Sequence, residues 1–253
     1  MEDGYEGSGS FDGTSRWMNV NIDGNFELNA TFNSNVSLDA VSIPYFYSGF
    51  KPGDGQSSFS VTGDVKISVV TIASDAGKNL STQAFTFTAE PSSSEEAKKT
   101  VNVGNPNSPF SLFTAYFKDP DNYDKADTMA GANGVYASGS TDINIKAGKK
   151  VQIISVADYA DAISAKQGGR VDLGSPEMLQ VIGVVDFFTG DYNGAATETS
   201  RQSRISGTFQ GNNSFWFGDE KVKYTVKNPH GQHGGDLNFT FKDGAEWIYM
   251  VNP

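Results

Sequence analysis

From Trp17 onward the chain alternates apolar and polar residues in short runs broken by Gly, Asn, Asp and Pro, the period-two signature of half-buried β-strands. Met18, Val20 and Ile22 alternate as far as Asp23-Gly24, and Phe26, Leu28, Ala30 and Phe32 take the pattern up again. A turn dipeptide between two alternating runs predicts a β-hairpin. Comparable runs follow along the chain, among them FSVTGDVKISVVTI, AFTFTAE, TDINIKAGKKVQIISV, RISGTFQG, DLNFTF and EWIYMV. QVIGVVDFF is apolar at almost every position and reads as one central strand covered on both faces.

Many short strands with turn signals between them predict an all-β protein, read here as an antiparallel β-sandwich or jelly-roll-like fold. One short helix is expected near 156–166. Ser155 stands where a cap belongs, Val156, Tyr159, Ala160 and Ile163 share a helical face, and Gly168-Gly169 supply a stop. The organisation follows as a flexible Gly- and Ser-rich arm over 1–16 and a β-sandwich domain over 17–253, with a softer composition near 91–109 where two β units could divide.

Charge narrows the range of partners. The net charge of -11, with only 19 Lys and Arg, argues against tight nucleic-acid binding, which needs a basic face. Cysteine is absent, which removes thiol catalysis, thiolate zinc sites and disulfides together. No apolar run is long enough for a transmembrane helix, and the first residues lack the pattern of a signal peptide.

Candidate chemistry is sparse. Asp119, Asp121, Asp124 and Asp127 in KDPDNYDKAD offer hard oxygen ligands at short spacing, as calcium prefers, although the EF-hand glycine and distal glutamate are missing. His230 and His233, the only two histidines, lie in the glycine-rich KNPHGQHGGD, where they are either a metal or haem ligand pair or polar residues of a turn. Among the aromatic clusters, Tyr45, Tyr47 and Trp216 are the rings to watch as a ligand-binding set, since exposed rings stack on sugar faces or anchor partners. The G-x-S-x-G, P-loop, H-E-x-x-H and dinucleotide-binding motifs are all missing, so no enzyme is expected.

Two function classes remain. The first is a non-catalytic structural or assembly subunit, a virion tail or coat protein or a surface fibre component, which self-associates by strand or arm exchange. The second is a secreted or cell-surface binding module or adhesin that takes a glycan, a protein partner or a small ligand, including haem or a metal, through exposed aromatic rings or the His230/His233 loop. Both place the chain outside the cell, at a cell surface or in a virion.

Overall fold

The computed structural model describes residues 19–33, 38–43, 58–73, 80–88, 99–118, 130–157, 159–188, 201–221 and 235–249. Every regular element among them is a strand. In chain order these are β1 (Asn19–Ile22), β2 (Phe26–Asn33), β3 (Leu38–Ile43), β4 (Ser58–Val61), β5 (Val65–Ala73), β6 (Leu80–Thr88), β7 (Lys99–Val103), β8 (Pro109–Lys118), β9 (Ala130–Ser138) and β10 (Thr141–Ile145). The chain continues through β11 (Lys150–Val156), β12 (Tyr159–Lys166), β13 (Arg170–Asp172), β14 (Met178–Ile182), β15 (Val184–Phe188), β16 (Arg204–Gln210), β17 (Phe215–Gly218), β18 (Glu220–Lys221), β19 (Asp236–Lys242) and β20 (Glu246–Tyr249).

Each strand pairs with the strand three places before or after it, so the chain winds through three parallel sheets as a β-helix. The first sheet takes β1-β4-β7-β10-β13-β16-β19, the second β2-β5-β8-β11-β14-β17-β20, and the third β18-β15-β12-β9-β6-β3. All pairings among the described residues are parallel, which overturns the antiparallel sandwich or jelly roll. Alternation reports only that one face of a strand is buried. It is the same for either direction of the neighbour.

Three local expectations change with the topology. Phe26–Asn33 does not return beside Asn19–Ile22 in a hairpin, because Asp23-Gly24 turns a corner and each strand joins a different sheet. QVIGVVDFF is two strands, since Gly183, at φ 125, breaks it into the end of β14 and the start of β15. Where a helix was expected near 156–166, Val156 ends β11 and Tyr159–Lys166 is strand β12. Its register to β15 shifts between Asp161 and Ile163, so Ala162 and Ile163 are both buried and the alternation is broken there. That break is what produced a helix-like spacing of apolar residues.

The core is the interior of the coil. Columns of side chains one rung apart fill it, for example Val20, Phe59, Val101, Ile143, Val171, Ile205 and Leu237 from the first sheet. Phe85 and Phe87 sit 4.8 Å apart edge-on, and Phe59 contacts both. Where the chain crosses from the first sheet to the second, close backbone approach selects glycine: a Cβ on Gly148 would lie 2.3 Å from the Pro106 carbonyl oxygen. Of the stretch 91–109, where two β units could divide, β7 and the start of β8 fall within 99–109, and 91–98 lie outside the described residues.

Candidate interaction surfaces

A solenoid is finished on the inside by its own coils and open in two other directions, along the axis and outward from each sheet. Both directions carry apolar side chains here.

The last coil consists of β19 and β20. Inward-column residues Leu237, Phe239 and Phe241 are only partly buried. Phe241 stacks on Phe209 at 4.7 Å, and Trp247 stacks on Trp216 with ring centroids 4.7 Å apart and planes within 4°. Trp247 is still 43% exposed and Tyr249 56%, because the rung that would cover them is not supplied by the described residues. Trp216, one of the three rings expected to meet a ligand, is 1% exposed; its Nε1–H donates to the Gly183 carbonyl at 3.1 Å. The exposed ring is its neighbour one rung on.

At the opposite end the first coil presents the same columns. Val20 and Ile22 of β1, and Phe26, Leu28 and Phe32 of β2, are half-buried, and among the described residues only the next rung packs on them. Outward polar columns also run the length of the first sheet: Ser60 Oγ donates to Asn21 Oδ1 at 2.7 Å, Asn144 Nδ2 to Asn102 Oδ1 at 3.2 Å, and Ser206 Oγ to Asp172 Oδ1 at 3.0 Å. Asn238 ends this column, exposed.

The outward face of the second sheet is different in kind. Phe113, Ile154, Ile182, Phe217 and Ile248 occupy one register column on five successive strands, all partly or wholly exposed. Val70, Ala115 and Val156 form the adjacent column, in which Ala115 is buried, and Ile72 with Phe117 the next. The other flank is polar from β2 to β14 and carries Phe215 on β17. Lys66 Nζ lies 2.8 Å from Glu27 Oε1, and Gln152 Nε2 donates to Gln180 Oε1 at 2.8 Å.

Several ionisable groups among the described residues are held in ion pairs or hydrogen bonds. Asp186 is fully buried with Lys166 Nζ 2.9 Å from its Oδ2, and Lys166 also lies over the Tyr136 ring at 5.7 Å. Burial alone would lower the Lys166 amine, but the carboxylates of Asp186 and Asp161 raise it overall. Lys99 donates to the Thr88 carbonyl, and burial pushes its amine down to about 8. Arg201 pairs with Asp142 near the start of β10, the central strand of the first sheet, and Arg204 Nη2 with Asp236 Oδ2 at 3.1 Å.

Tyr45, Tyr47, Asp119, Asp121, Asp124, Asp127, His230 and His233 lie outside the described residues, as does the arm over 1–16. Among the described residues no group of three or more His, Asp or Glu is gathered where it could hold a metal ion. Nor is any helix among them long and apolar enough to cross a membrane. The apolar outward column could have been found in the sequence from FSLFTAYF and FWF, but only once the direction of strand pairing was known. No family model, curated protein or solved structure matches the chain.

Proposed function

We propose that the protein is a non-catalytic assembly subunit of a fibre, of the virion tail, coat or surface type, whose copies join end to end by edge pairing. The observation that carries this reading is that the two ends continue the same columns. Placed on the last rung of one copy, the first rung of a second would set Val20 on Leu237, Ile22 on Phe239 and Leu28 on Trp247, with Asn21 beside Asn238. The joint would then add two strand pairings and bury the exposed face of Trp247. Such a contact is heterologous, so it propagates into a filament rather than closing.

Light scattering over a range of protein concentrations tests it. The chain should grow in mass with concentration, and Trp247→Arg should hold it at monomer mass with an unchanged far-ultraviolet spectrum. Growth that stops when residues 1–16 are deleted, yet survives Trp247→Arg, would assign assembly to arm exchange. A monomer at every concentration would sink the reading. The binding-module alternative rests on Trp247 and Tyr249, exposed with ring centroids 5.9 Å apart. A glycan array bound by the monomer and lost on Trp247→Ala would select it.

A further inference from the structure

We infer that the outward face of the second sheet docks a second copy of this chain side by side, sheet on sheet, separately from the end-to-end joint. The first ground is composition. Phe113, Ile154, Ile182, Phe217 and Ile248 follow one another on adjacent strands with no polar residue between them in the column. Outward positions of a solvated sheet are ordinarily polar, and the same column is polar on the first two strands, where it carries Asn29 and Ser68. The change from polar to apolar partway along one face marks a bounded patch.

Size is the second ground. At a strand spacing of about 4.8 Å and about 7 Å between alternate residues, columns of five, three and two residues make a tapering field of about 300 Å². That matches the largest single apolar patch of a typical monomer, a size that is often functional, and is a little under half of what one partner contributes to an ordinary stable interface. The polar columns beside it supply the rim, as in protein interfaces with an apolar centre.

What covers the field follows from its shape and charge. It is a ladder of rungs at one regular spacing, and a second ladder of the same spacing can seat its rungs in the grooves, as packed sheets do about 10 Å apart. A copy of this chain has that ladder. With a net charge of -11 per copy, close approach needs a locally neutral contact. The rim provides one, because Lys66 is held by Glu27 and Lys149 by Glu177 at 2.6 Å. A glycan is disfavoured, since these columns hold Phe, Ile, Val and Ala and offer a sugar no hydrogen-bonding partner.

The absence of cysteine makes the test clean. Ile182→Cys, near the middle of the field, and Asn144→Cys, on the outward face of the first sheet, are each treated with a short bismaleimide. The expected result is a covalent dimer from Ile182→Cys at ten or more times the yield from Asn144→Cys. Ile154→Thr/Phe217→Thr, which keeps strand-forming residues, should reduce the dimer mass measured by sedimentation at least tenfold in association constant with an unchanged spectrum. Trp247→Arg should leave the Ile182→Cys cross-link intact, so that failure of the end-to-end joint and failure of this face are read separately. Equal yields from the two cysteines, or a sedimentation constant unmoved by the double threonine variant, would overturn the inference. Capture of neutral lipid vesicles in place of a copy would overturn it too.

Discussion

Trp216 shows how far one ring's role depends on what lies a rung away. Its indole is sandwiched between the interior and Trp247, with Phe239 edge-on at 5.4 Å, so truncation removes a stacked pair and opens a cavity. Trp216→Ala should cost about 3–5 kcal/mol, read as a lower urea midpoint. Asp142 is a comparable case among charged residues. Asp142→Ala takes a carboxylate from Arg201, whose side chain is 5% exposed, and should cost about 3 kcal/mol by the same measurement. Lys99 titrates in the folded protein near 8, below its ordinary 10.5, so the fold favours the neutral amine. The sign follows from linkage: the penalty of holding it charged is fully present below about 8 and is relieved as pH rises toward 10.5. Lys99→Met should therefore flatten the rise in stability between those limits, measured by urea unfolding at each pH.

At the scale of the element, most strand positions were legible and almost no pairing was. Alternating runs such as TDINIK and KVQIIS are strands because Ile143, Ile145, Val151 and Ile153 must face inward, and that much is written in the residues. Partner choice is not. Circuits differ in length, with Asn21 and Ser60 39 residues apart, Asn102 and Asn144 42, and Gln152 and Gln180 28, so no repeat appears in the sequence. The bulged position shared by β6, β9 and β12 was hidden for another reason. Ala84, Gly134 and Ala162 stand there at small size, which gives no strand signal until the neighbouring strands are known. A Cβ on Gly134 would lie 2.4 Å from the Ala162 carbonyl oxygen, and Gly134→Val should lower stability by about 2–3 kcal/mol, against under 1 kcal/mol for a solvent-facing change such as Asn144→Thr. Of the candidate site, the aromatic clusters were visible as clusters, yet which ring of FWF faced outward required the register.

For the whole molecule, the joint between ends makes a prediction that depends on register alone. In the column where Glu27 pairs with Lys66, the last rung carries Glu246, so two carboxylates would face each other across the joint. Glu246→Lys should strengthen end-to-end growth severalfold at low salt and lose most of that gain at high salt, checked by light scattering. Because every pairing links residues far apart in sequence, refolding should be slow, in seconds rather than milliseconds, as stopped-flow fluorescence of the Trp residues would show.

The register that ties Asp142 to Arg170 and Val101 to Ile143 has a further meaning. Since each circuit returns the chain to an equivalent place, excising the residues between two column neighbours would re-form the same contacts one rung shorter. The protein's reach is therefore a count of turns, adjustable in whole steps by duplication or loss, much as a chain is lengthened by adding links.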